Sequence, residues 1–303
     1  MSNISRAIQS IRVYSLVGIC GLVLIAVFGP LMLNKVGFDN LDLEVSQEKM
    51  IIIIGILVMM FLVLMFHELG HLITGLLQGF RFEQFVIGTL GFKRDGERVK
   101  MYLNKNLEYY GGIAATSPRD GHPDNAKKFA FVLLAGPIAS VLFALYSLVV
   151  SQLLEDHILQ TVFLSGAGIS IAIFLVTTIP AKTGIFYTDR KRYQRLVKPG
   201  RDQDTELAIL KIMGSYAQDN SYKNIKKEDI QTLITDESSF TQYFGMFNLI
   251  CYQIEMGEVL DERVIAEYAN KGKSVSQSLV KAFNKEIDKL CKKYGSDSPI
   301  PGE

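Results

Sequence analysis

Five consecutive residues, His67-Glu68-Leu69-Gly70-His71, carry the densest chemistry in this sequence. On an α-helix, positions i and i+4 share one face a turn apart, so both imidazoles can address a single ion. Zinc takes imidazole nitrogen at about 2.0–2.1 Å. A carboxylate next to the first histidine stands where it can take a proton from water at the metal, whose pKa zinc lowers toward ~7. The segment thus supplies two ligands, His67 and His71, and a base, Glu68, and it needs a third ligand from elsewhere. It uses two of the chain's four histidines. The plain alternative is a pair of packed core histidines. It fits poorly, because ionisable side chains crowded into an apolar run are costly without a metal.

Zinc sites built from two histidines and a carboxylate keep one position open for water. The candidate carboxylate is Asp189, the first acid after the last long apolar run. Pro180 interrupts the helix there and leads into a loop that can fold back. A solvated loop carboxylate beside Arg190 is the competing reading of Asp189, and charge pattern alone leaves the two level.

The elements that must position these residues are membrane helices. The chain has 303 residues, a formal net charge of +1 and a hydrophobic share of 49%. Its mean hydropathy is +0.21. The apolar residues gather in the runs 13–33, 50–77, 129–154 and 158–181. Each approaches the ~20 residues or more that cross a ~30 Å hydrocarbon core. The first is too long for the apolar part of a cleavable leader. Arg6 and Arg12 precede the first run, and Lys and Arg fill the loop 80–128 and follow the fourth run, whereas Asp39, Asp42, Glu44 and Glu48 outnumber Lys35 and Lys49 after the first run and Glu155 and Asp156 occupy the short loop between the third and fourth. By the positive-inside rule the N-terminus, the middle loop and the C-terminal tail are cytoplasmic, which makes this a multi-pass cell-membrane protein. The histidine pair and Asp189 then fall on the same, cytoplasmic side. The balanced charge gives no argument for nucleic acid. Cys20, Cys251 and Cys291 form neither a disulfide framework nor a metal motif and read as free thiols.

The loop 80–115 reads as β structure, with strands over 82–90 and 99–103, a turn over 94–97 and a third short strand over 107–114. A strand edge near the metal could take an unwound substrate by strand addition. Gly111 and Gly112 would let its backbone come close, which makes them the candidate substrate-binding residues. The competing reading is a sheet that only ties the loop down. His122 reads as solvated, and His157 lies at the opposite membrane face. Residues 202–295 show helical periodicity, with Gly257 and Gly272 as helix stops. The expected architecture is mainly α. It is a polytopic helical membrane core over 1–195 with about four transmembrane helices and a short β insertion, followed by a cytosolic helical domain over 196–303.

With these residues in place, the chain resembles the site-2 protease family of intramembrane zinc metalloproteases over about residues 50–195. His67 through His71 is similar to that family's zinc motif, Gly111-Gly112 to its glycine pair, Gly136-Pro137-Ile138-Ala139-Ser140 to its Gly-Pro segment, and Pro180 through Asp189 to the segment that brings the third ligand. Thr177 stands where the family usually has asparagine and Arg190 where it usually has glycine. The resemblance implies Zn2+ as cofactor, His67, His71 and Asp189 as ligands, and Glu68 as catalytic base. It implies hydrolysis of single-span membrane proteins or membrane-held peptide precursors, releasing a signal, a regulator or a secreted peptide. A non-catalytic membrane peptide-binding homologue, in an immunity or adaptor role, is the alternative. A metal transporter would carry more ionisable residues along its spans.

Overall fold

A computed structural model of the protein describes residues 47–96, 98–106, 109–183, 186–295 and 299. The apolar run 13–33 and Cys20 lie outside these residues. The described chain is mainly helical and divides into two compact units, one of residues 47–74, 83–115 and 131–193, the other of 75–82, 116–130 and 194 onward.

In the first unit, three helices are long and apolar enough to cross a membrane: α1 (Gln47–Leu77), α2 (Asn125–Leu153) and α3 (His157–Thr178). α1 begins just before its apolar run and contains no proline. It closes in a Schellman turn, with Gly79 at φ +84° and the amides of Gly79 and Phe80 bonded to the carbonyls of Leu76 and Gly75. α3 starts on an Asp156 cap, whose side chain accepts from the Leu159 amide. It stops at Thr178, earlier than the apolar run suggests, because Pro180 holds Ile179 in an extended conformation.

The three helices pack around Met59, Val63 and Phe143, with Val162, Phe163, Ile169 and Ile173 against them. Small residues set the spacing. A Cβ on Gly70 would lie 2.6 Å from the Ala135 carbonyl oxygen and 2.7 Å from the Ala139 Cβ, so α1 and α2 touch backbone to backbone there. Ile51, Ile54, Leu57 and Val58 of α1 and Ile138, Leu142 and Leu145 of α2 face outward. An apolar outer surface of that extent is what a helix in hydrocarbon presents.

The insertion between α1 and α2 is a sheet of strands β1 (Arg81–Ile87), β2 (Leu90–Asp95), β3 (Arg98–Leu103) and β4 (Ile113–Ser117), in the order β3-β2-β1-β4. β1 pairs antiparallel with β2 (Ile87↔Leu90), and β2 with β3 (Asp95↔Arg98). Two strand expectations are corrected. The run 82–90 is not one strand, because Gly88 at φ +54° turns the chain between Ile87 and Leu90 and starts β2. The third expected strand lies later than 107–114. Gly112, at φ +105°, closes a turn back to the Tyr109 carbonyl, and extended backbone starts only at Ile113. The expected turn around Gly96 is present. After α3 a short hairpin, β5 (Lys182–Thr183) and β6 (Phe186–Tyr187), reverses the chain into α4 (Asp189–Val197).

The second unit is helical: α5 (Arg201–Asp219), α6 (Lys227–Ile234), α7 (Ser239–Met256), α8 (Glu262–Gly272) and α9 (Gln277–Tyr294). Ile212, Ile230, Leu233, Tyr243, Ile250, Cys251 and Ile287 form its buried core. Gly257, at φ +66°, ends α7 as a left-handed cap, and Gly272 is the last residue of α8. Tyr243 donates to Tyr268, whose hydroxyl donates to Asn284, so the deepest phenols are satisfied internally.

Candidate metal centre

His67 and His71 lie one turn apart on α1, with ring centroids 5.0 Å apart and planes near perpendicular. Both are buried. Each ring is held from behind by α2. His71 Nδ1 bonds the Val132 carbonyl at 2.7 Å, and His67 Nδ1 lies 2.9 Å from Ser140 Oγ. A carbonyl only accepts, so His71 Nδ1 carries the proton and its Nε2 presents a lone pair. α2 offers this support through a locally unusual turn. Pro137 has no amide hydrogen for the preceding turn, and Gly136 has no side chain. A Cβ on Gly136 would lie 2.2 Å from His71 Nε2, so the imidazole occupies the space a side chain would take.

The third group arrives on the hairpin arm. Thr188 fastens the base of that arm: its hydroxyl donates to the Ile179 carbonyl at 2.8 Å and accepts from the Ala181 amide at 3.1 Å. Its own amide donates to the Ala181 carbonyl. Asp189 follows at once, and its Oδ2 lies 3.3 Å from His67 Nε2 and 3.3 Å from His71 Nε2.

These residues fit a metal ion. The three ligand-capable atoms lie within 4.8 Å of one another. Asp189 Oδ2 is buried and makes no hydrogen bond, an arrangement that is costly unless another partner completes it. Two atoms bound at ~2.0–2.1 Å to a tetrahedral ion lie about 3.3–3.4 Å apart, which is the spacing found on both sides of Asp189. Two imidazole nitrogens and a carboxylate oxygen are a donor set that zinc accepts.

Glu68 lies beside this group, half-buried, and accepts a hydrogen bond from the Ala114 amide. Ala114 belongs to β4, which ends the sheet order on that side. Gly112 packs on the glutamate: a Cβ there would lie 2.6 Å from Glu68 Cγ and 3.0 Å from its Oε1. Gly111 differs, since a Cβ there would meet nothing within 4 Å. The structure therefore brings together His67, His71, Asp189, Glu68 and Gly112, and leaves Gly111 at the margin. Thr177 turns its hydroxyl back to the Phe174 carbonyl of its own helix, and the exposed Arg190 stacks over Tyr193. His157 pairs with Glu48 at 2.6 Å, at the ends of α3 and α1 remote from the centre. His122 is exposed beside Asp124.

Reading the sequence for charged ligands passes over the supports. Ser140 had a signal, as a hydroxyl one turn after Gly136 in an apolar helix. The Val132 carbonyl had none, because any residue type supplies it.

A histidine pair, a carboxylate carried back by a hairpin, and a glutamate against a sheet edge thus converge in a bundle of helices long and apolar enough to cross a membrane. Residues 55–294 match the model of peptidase family M50, and the chain belongs to that family, the site-2 protease family. Comparison with curated proteins and with solved structures gives no match.

Proposed function

We propose that this protein is an intramembrane zinc metalloendopeptidase that hydrolyses peptide bonds of membrane-spanning proteins or membrane-held peptide precursors. The observation that carries the reading is the convergence of His67 Nε2, His71 Nε2 and Asp189 Oδ2, with Glu68 on the adjoining α1 position. Zinc, when bound, lowers the pKa of attacking water and polarises the scissile carbonyl. Glu68 takes the proton from that water and passes it to the leaving amine nitrogen, so one water is consumed per bond cut. Gly112 leaves room for the Glu68 side chain. β4 offers an extended segment to which an unwound substrate can align as an added strand. The outward apolar faces of α1 and α2 favour substrates that approach through the bilayer.

The test is cleavage of a single-span substrate by the full chain in proteoliposomes. Glu68→Gln should lower the rate by roughly 10²–10⁴-fold, the usual range for loss of a general base, while zinc content stays unchanged. Equal processing by wild type and variant would sink the catalytic reading. Zinc-loaded wild type that binds substrate and never cuts it would favour a peptide-binding adaptor or immunity protein. The ligand assignment is tested by Asp189→Ala, which should purify without stoichiometric zinc.

A further inference from the structure

The two histidines are held by unlike partners, and the difference carries an inference about a serine pair. His71 leans on a backbone carbonyl, which only accepts. His67 leans on the Ser140 hydroxyl at 2.9 Å. Ser140 is fully buried, and its own carbonyl accepts from Ser170 Oγ at 2.8 Å. Ser170 is fully buried too. The contacts run in one line through three helices: His67 on α1, Ser140 on α2, Ser170 on α3. α3 is also the helix that leads, through Pro180 and the Thr188 clamp, to Asp189.

We propose that Ser140 is a positioning residue for the metal centre, with Ser170 as its anchor. With His67 ligating through Nε2, Ser140 Oγ accepts from its Nδ1–H, which holds the ring's orientation with Nε2 toward Asp189. Without an acceptor at Nδ1 the imidazole is free to carry its proton on Nε2, the tautomer that cannot ligate. Ser170 holds the Ser140 backbone in register with α3. The same line therefore ties one histidine to the helix that delivers the third ligand. Both hydroxyls are enclosed by protein, so each depends on the partner the fold gives it. Loss of a hydrogen-bond partner behind a ligating histidine typically weakens metal binding by about 10–100-fold.

The inference rests on the metal-centre reading above, and the test separates the two. Zn2+ affinity of the detergent-purified full chain is measured by competition with a chromogenic chelator. The visible spectrum of the Co2+-loaded protein and the unfolding temperature of the metal-free protein are recorded alongside. Ser140→Ala should bind zinc about 10–100-fold more weakly and shift the Co2+ bands, with the metal-free unfolding temperature near that of wild type. Ser140→Thr, which keeps the hydroxyl, should restore both. Ser170→Ala should give a smaller loss in the same direction. Ser151→Ala is the control. Ser151 is equally buried on α2, and its hydroxyl bonds the Leu148 carbonyl of its own helix. That variant should behave as wild type.

Wild-type affinity and spectrum in both Ser140→Ala and Ser170→Ala would overturn the serine assignment while leaving the metal centre standing. A wild-type chain that binds neither ion would overturn the metal centre itself. If Ser140→Ala does not fold, Ser170→Ala decides: unchanged affinity and spectrum overturn the proposal.

Discussion

Gly136 and Gly112 are the residues at which one added carbon should be most informative. The Gly136 position is filled by the His71 ring, so Gly136→Ala must push that imidazole aside. Zinc affinity should fall by about 10–100-fold, read by chelator competition, with cleavage lost in proportion. Gly112 combines a left-handed φ with contact against Glu68. Gly112→Ala therefore strains the backbone by about 1–3 kcal/mol and displaces Glu68 but not His67, His71 or Asp189. It should slow cleavage with zinc content intact. Gly111→Ala meets open space and should stay within ~0.5 kcal/mol of wild-type stability, with turnover unchanged. Sequence reading treats the two adjacent glycines alike, and only their backbone angles and neighbours tell them apart. The histidine pair and Glu68 were legible because i and i+4 share a helix face whatever the tertiary structure. Asp189 was only half legible: its place depends on a hairpin of two-residue strands whose base is fastened through the hydroxyl and amide of Thr188, and no periodic pattern announces such a hairpin.

At the scale of elements, the hairpin arm is the part most open to test. Thr188→Val keeps the shape of the side chain and removes the bonds to Ile179 and Ala181. The arm should loosen, Asp189 should lose its fixed aim, and zinc should dissociate faster from the variant than from wild type, as followed by stopped-flow with a chelator. An unchanged dissociation rate would show that the hairpin is held by other contacts. The apolar runs located α1, α2 and α3 to within a few residues, because an uninterrupted run of apolar residues leaves the chain few choices. The sheet was read less well. Phe85, Val86 and Ile87 before Gly88 and Thr89 and Leu90 after it look like one strand, and the aromatic pair Tyr109-Tyr110 looks extended. In each case a glycine with positive φ turns the chain, and propensity does not register that.

At the scale of the whole molecule, the second, helical unit is stabilised by a compact apolar core and by a buried ion cluster. Arg195 reaches Asp202, Glu206 and Asp236, and its side chain and those of Glu206 and Asp236 are almost entirely enclosed. Arg195→Ala strands two carboxylates and should cost about 3–5 kcal/mol, measured as a lower denaturation midpoint of the purified chain. Burial pushes the Cys251 thiol well above its ordinary range, and Cys291 is enclosed as well. In a Cys20→Ser background, a thiol reagent should stay silent toward the native protein at neutral pH and react fully once the chain is denatured. Early reaction at Cys251 would mean that the core opens on the timescale of labelling. That these helices would form was legible from spacing. Which polar groups they would enclose was not, because Arg195 and Asp236 are far apart in sequence.

The contact of Gly70 with Ala135 and Ala139 has a consequence for traffic. Backbones pressed that tightly make a seam with no width for a passing peptide, so any polypeptide that reaches the centre must come round another side of the bundle. A cysteine pair oxidised across the seam should act as a weld on a wall that never opens, leaving cleavage at its normal speed. If the weld stops the reaction, that wall was the gate.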